Sequence, residues 1–102
     1  MAITSFADQT TSDIYHGLDT KAARRIPKDV WSSAQRKMTV LHTAKTTLEL
    51  TALSGLRFEP LKHDRPGFNS MRINDRYRLI FQFQNGDAYA VGIENYHGRK
   101  TS

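Results

Sequence analysis

The dipeptide Asn85-Gly86, set between two runs of alternating residues, constrains this 102-residue chain more than any other feature. Both residues tolerate positive φ, so the pair suits a type I′ turn and predicts a tight hairpin. The outgoing strand contains Tyr77, Leu79, Phe81 and Phe83, alternating with Arg78, Ile80 and Gln82, and the returning strand runs from Asp87 to Asn95. On the return, Tyr89, Val91 and Ile93 are expected toward the apolar face. Ala88, Ala90 and Gly92 are expected on the other, leaving room above the sheet. A further strand is predicted over Phe68 to Ile73, with a turn at Asn74-Asp75.

Before Gly55 the period lengthens to that of a helix. Val30, Ala34, Met38 and Leu41 share one face of a segment that Pro27 can open, with Asp29 complementing the dipole at its start. Trp31, Ala44 and Leu48 widen that stripe. Thr11 to Leu18 reads as a helix weakened by Gly17, and Thr46 to Leu53 as a short one stopped by Ser54-Gly55. Ile3 to Ala7 fits an edge strand. Helices followed by strands predict an α+β fold in one domain over residues 1–102, with the helices on one face of an antiparallel sheet. Only the stretch from Gly98 to Ser102 reads as a loose tail.

Several classes of chemistry are excluded by what the chain lacks. With no cysteine there is no disulfide, thiolate metal site or cysteine nucleophile. Phosphate-binding glycine loops, HExxH and Gly-x-Ser-x-Gly are missing, and His16, His42, His63 and His97 are scattered, so neither metal nor cofactor is expected. No apolar run approaches the roughly 20 residues that cross a bilayer, and Met1 to Asp8 lacks the features of a signal peptide. A cytoplasmic location without membrane contact is expected.

Fifteen Lys and Arg against 10 Asp and Glu give a formal charge of +5, which favours an anionic partner, most commonly nucleic acid. The sheet half carries Arg57, Lys62, Arg65, Arg72, Arg76 and Arg78, with Arg99 and Lys100 in the tail, and a basic polar face is expected there. Cations flanking a phosphate bind it and stabilise charge built up during its cleavage. For at least half of these residues, solvated surface charge is the competing account. Arg78 is the exception, because a strand holds it between Tyr77 and Leu79. Asp64 suits a turn or a pair with Arg65, and His63 suits surface and site equally. Tyr96-His97 sets a face able to stack on a base beside an imidazole able to exchange a proton near neutral pH, although a structural role is also open to it.

These residues together carry a resemblance: Glu59-Pro-Leu-Lys-His-Asp-Arg-Pro-Gly-Phe-Asn-Ser-Met-Arg-Ile-Asn, Tyr77-Arg78-Leu-Ile-Phe81, Asn85-Gly-Asp-Ala and Asn95-Tyr-His97. The chain closely resembles the HigB toxins of the RelE/ParE superfamily, from its opening strand through the Arg24-Arg25-Ile26-Pro27 helix entry to His97. The resemblance implies a RelE-like fold, a curved antiparallel sheet packed against N-terminal helices. It also implies a toxin of a type II toxin-antitoxin system, a metal-free endoribonuclease that enters the ribosomal A site and cleaves mRNA there. A helix-turn-helix antitoxin of HigA type is the implied partner, and operator DNA is reached only through that complex.

By position, Lys62 and Arg78 match the family's phosphate-binding cations, His97 its proton-transfer group, and Tyr96 its nucleotide-stacking aromatic. Arg57, Arg65, Arg72, Arg76, Arg99 and Lys100 are the remaining RNA-binding candidates. Two departures mark this sequence. Asn95 replaces the usual Asp; it can orient His97 by hydrogen bonding but cannot raise its basicity as a carboxylate would. Glu59 replaces a histidine of some members and is a candidate base. A non-catalytic RNA- or ribosome-binding module is the alternative function, and a gyrase poison a third within the superfamily.

Overall fold

The chain's apolar periodicities become two layers, helices against one sheet. The computed structural model describes residues 1–53, 55–61 and 65–95. Among these, five strands form a sheet in the order β1 (Ala2–Ile3), β5 (Asp87–Asn95), β4 (Tyr77–Gln84), β3 (Phe68–Arg72) and β2 (Glu59–Pro60). Helices α1 (Gln9–Tyr15), α2 (Lys28–Thr43) and α3 (Thr47–Ala52) precede β2, with a 3-10 turn at Ala23–Arg25. The expected α+β class is borne out.

Each helix begins where its open N–H groups find a partner or need none. Asp8 caps α1, its Oδ1 accepting from the Thr11 N–H at 2.8 Å. Pro27, which has no N–H, stands at the start of α2, and Asp29 lies in its first turn. Glu49 Oε2 accepts from the N–H groups of Lys45 and Thr46, at 2.8 and 3.2 Å, to close the start of α3. The α1–α2 connection is tied down by Asp13, whose carboxylate accepts from Thr20 Oγ1 and Gln9 Nε2, both at 2.6 Å. Those two bonds, Thr20 first, hold the Asp13 carboxyl below its ordinary value.

Val30, Ala34, Met38 and Leu41 of α2 are buried together with Met71, Leu79, Phe81, Val91 and Ile93 of the sheet. Each of the larger side chains contributes roughly 1.5–3 kcal/mol of burial free energy. Trp31 packs against this core and donates Nε1–H to the Ile26 carbonyl at 2.8 Å. The expected stripe is narrower than its sequence reading at one end. Ala44 is buried but lies beyond the helix, with extended ψ of 140°, and the break there leaves Leu48 on the outside of α3, 76% exposed. Leu18 likewise lies outside α1 and is exposed.

Two features of the sheet depart from the simple hairpin reading. The N-terminal strand joins it parallel to β5, pairing Ala2 with Asp87 and Ile3 with Ala88, and continues as a bridge between Phe6 and Val91. The sheet is therefore mixed, antiparallel only from β5 to β2. At the turn, Asn85 and Gly86 have φ of 54° and 83°, as a type I′ hairpin requires. Farther along, the register slips: Gln82 pairs with Tyr89 but Ile80 with Gly92, so Ala90 and Val91 together oppose Phe81. Ala90 has φ of 52°, the left-handed residue of a β-bulge. The extra residue exchanges the faces of β5 on its turn side, putting Ala88, the partner of Phe83, in the core and sending Tyr89 to the opposite face. The expected room above Gly92 is filled, since a Cβ there would lie 3.1 Å from the Ala7 Cβ.

Candidate functional site

Directly paired residues of an antiparallel sheet share a face, so the register alone defines the surface opposite the core. One row across it reads Arg72, Arg78, Glu94; the next reads Glu59, Ser70, Ile80, Gly92; a third reads Phe68, Gln82, Tyr89. Strand β4 places Arg78 at the centre of the first row. This face is less open and less uniformly basic than its sequence reading. Ser70, Ile80 and Arg78 are buried, and the row of arginines contains a carboxylate.

That carboxylate organises the cations. Glu94 Oε1 lies 3.9 Å from Arg78 Nη2, and its other oxygen, Oε2, pairs with Nη1 of Arg65. Arg65 comes from the β2–β3 loop and also sits over the Phe68 ring, 5.9 Å from its centroid. Exposure falls from Arg65 to Arg78: the side chains are 35% and 8% exposed, with Glu94 at 24%. A guanidinium so nearly buried requires a counter-charge held on a rigid element, and Glu94 on β5 is one. Two cations around one anion leave this triad a net positive charge, the electrostatic requirement for a phosphate site.

The remaining candidates are distributed over several surfaces. Glu59 lies on β2, exposed, on the same face as Arg78 and one row away. Arg72 shares the row but pairs with Asp75 across the turn. Arg57 is exposed between α3 and β2. Arg76 belongs elsewhere, lining a groove with Pro27, Asp29, Val30, Asn74, Asp75 and Tyr77 at the start of α2. Asn95 pairs with Tyr77, which puts it on the face of Leu79 and Ile93, not that of Arg78. Lys62, His63, Asp64, Tyr96, His97, Arg99 and Lys100 lie outside the described residues. Among the described residues, no group of three or more His, Asp or Glu is placed to hold a metal ion.

Glu94 and Tyr89 on the arginine face are the residues that sequence reasoning missed. Counting outward from Asn85-Gly86 without a bulge would set Arg78 opposite Ile93, leaving no carboxylate beside it. The only sequence signal for Glu94 is a charged residue breaking the apolar run before Asn95.

A family model described as "RelE-like toxin of type II toxin-antitoxin system HigB" matches residues 4–97. Toxin HigB-1 of Vibrio cholerae serotype O1 is 36% identical over 83 residues, covering 81% of this chain and 85% of that protein. Endoribonuclease HigB of Proteus vulgaris is 46% identical over 41 residues, covering 40% of this chain and 45% of that enzyme. Among solved structures, a point mutant of YafQ from E. coli superposes with a TM-score of 0.59 at 13% identity, over 95% of this chain and 94% of that one. The YoeB/ParE toxin from Agrobacterium tumefaciens superposes with a TM-score of 0.54 at 18% identity, over 94% and 99%. At those identities the two structures speak for the fold.

Proposed function

The chain belongs to the HigB family of RelE-like toxins of type II toxin-antitoxin systems, and from that premise we propose that it is an endoribonuclease cutting mRNA in the ribosomal A site. The single observation that carries the reading is Arg78, held nearly buried near the start of β4 beside Glu94 and Arg65, opposite the strand whose sequence runs on into Asn95-Tyr96-His97. A residue serving only solubility would not be placed there, since burying a guanidinium has a large desolvation cost.

The chemistry suited to these groups is in-line transesterification. The ribose 2′-OH attacks the adjacent phosphorus and the P–O5′ bond breaks, giving a 2′,3′-cyclic phosphate and a 5′-OH end. The 2′-OH proton must leave and the departing O5′ must gain one. His97 supplies the second proton. Glu59, a carboxylate on the arginine face, is the candidate to receive the first. Arg78 and Lys62 neutralise the extra negative charge of the pentacoordinate phosphorus, and Tyr96 stacks on the nucleotide. Asn95 supports the His97 segment through hydrogen bonding, without the charge a carboxylate would add.

The same reading gives the chain a HigA-like antitoxin as partner, operator DNA contact only within that complex, and a cytoplasmic site of action as one domain. Among the described residues no helix is long and apolar enough to cross a membrane.

The test is cleavage on ribosomes. Purified protein added to programmed ribosomes should cut the message at the A-site codon, as mapped by primer extension, and antitoxin should stop it. His97→Ala and Arg78→Ala should each remove most of the cutting. Cutting at wild-type rate by both variants would overturn the residue assignments. Ribosome binding without cuts would favour a non-catalytic binding module, the reading that Asn95 motivates.

A further inference from the structure

We propose that Glu94 is a positioning residue of the cleavage site, a shared anchor that fixes Arg78 and Arg65 in one orientation; this rests on the ribonuclease reading above. One carboxylate oxygen faces Arg78 Nη2 at 3.9 Å and the other pairs with Arg65 Nη1, so a single side chain spans both cations. The two arginines arrive from different parts of the chain, Arg78 from β4 and Arg65 from the β2–β3 loop. Along the chain, Arg65 follows Lys62-His63-Asp64, and Glu94 precedes Asn95-Tyr96-His97. The Arg65–Glu94 pair therefore ties the loop residue that follows Lys62 by three positions to the strand residue that precedes His97 by three.

Charge distinguishes this role from simple attraction of RNA. Glu94 is an anion in a site for an anion, so its Coulombic effect on substrate binding is unfavourable. What it gives in return is order. An arginine on a loop, 35% exposed, has many rotamers, and fixing it before substrate arrives removes that entropy from the reaction step. The net positive charge of the triad remains available to the phosphate. Glu94 also lies opposite Arg78 only because of the Ala90 bulge, so the fold departs from a regular hairpin in the place that produces this contact.

The experiment compares wild-type protein with Glu94→Gln, Arg65→Ala and the double variant in single-turnover cleavage of mRNA on programmed ribosomes, across ribosome concentration. Glutamine keeps the size and one acceptor while removing the charge. The expected result is a fall of about ten- to a hundredfold in the rate at saturating ribosomes, the scale of a misplaced catalytic group. Half-saturation should be unchanged or tighter, because the site has lost a negative charge. Arg65→Ala should lower the same rate and add little in the Glu94→Gln background, since both remove one anchor.

A folded Glu94→Gln protein cutting at the wild-type rate, or losses in the double variant that simply multiply, would overturn the role of Glu94 while leaving the ribonuclease reading intact. No cutting by the wild type under conditions where it binds ribosomes would overturn both. Thermal unfolding controls for the fold. Should Glu94→Gln fail to fold, the partly exposed Arg65→Ala decides alone, and a wild-type rate for it refutes the anchor.

Discussion

The Thr11 hydroxyl on α1 accepts a hydrogen bond from the backbone N–H of Ile93 on β5 at 3.0 Å, across 82 residues of sequence. Thr11 is fully buried and Ile93 nearly so, which shields the bond from bulk solvent. The contact fixes the height of β5 against the helical layer one residue before Glu94, so it also sets where the arginine anchor stands.

Thr11→Val keeps the shape of the side chain and removes the acceptor. Leaving the Ile93 N–H without its partner should lower stability by about 1–3 kcal/mol, read from the urea midpoint at constant m-value. An unchanged midpoint would show that the Ile93 N–H finds another acceptor.

Gly92 packs so that any Cβ would stand 3.1 Å from the Ala7 Cβ. Alanine there requires the segment at Ala7 to shift by a few tenths of an ångström, and valine requires more. Gly92→Val should destabilise by about 1–3 kcal/mol, the usual cost of overpacking, with Gly92→Ala clearly milder in the same denaturation experiment.

Ala90 occupies the bulge with φ of 52°, where an L side chain is strained. Ala90→Gly relieves that strain and should raise the thermal midpoint modestly, by up to about 1 kcal/mol of stability. Ala90→Val, branched at Cβ, should lower it. The reverse order would mean that the bulge is not kept in solution.

Asp13 predicts an acid limb to stability. Hydrogen bonds from Thr20 and Gln9 depress its folded pKa, so the ionised form stabilises the fold above the unfolded value of about 3.9. That contribution is lost as pH falls through the lower, folded value. Asp19, held down by Arg24 and Lys28, acts in the same direction at the surface. Asp13→Asn should lower the urea midpoint at neutral pH and flatten, without abolishing, its fall below pH of about 4.

Arg78→Ala should reduce cleavage per folded molecule by about 10²–10³, the range for loss of one donor to a charged transition state. Arg78→Lys retains the charge but not the planar fork, and should recover only part of the activity. Equal rates for lysine and arginine would reduce the role of Arg78 to point charge.

Much of the fold was legible because it rests on local rules. The α2 face of Val30, Ala34, Met38 and Leu41 follows from a 3.6-residue period, and each of these residues is buried. Asn85-Gly86 specifies its own turn through backbone sterics, and β5 spans Asp87–Asn95 as its alternation predicts. Arg78 was expected on a strand between Tyr77 and Leu79, and it lies there, buried, as the second residue of β4. Local rules failed where a distant segment decided the outcome. Nothing near Ile3 in sequence indicates parallel pairing with Ala88, and nothing near Arg65 indicates Glu94.

By itself, the sequence determined the α+β class, the position of the hairpin and the family, because periodicity, turn chemistry and spaced motifs are properties of short segments. Only the tertiary structure decided which side chains meet on the face opposite the core. One extra residue at Ala90 shifts the pairing so that Arg78 opposes Glu94 instead of Ile93, and it exchanges Tyr89 for Ala88 in the core. The physical reason is that strand faces alternate with a period of two, so a single bulge shifts the pairing beyond it by one residue and puts the two ends of β5 out of phase. The Ser5 hydroxyl, 85 residues away in sequence, accepts the Ala90 N–H at 2.9 Å, a contact that no local pattern encodes.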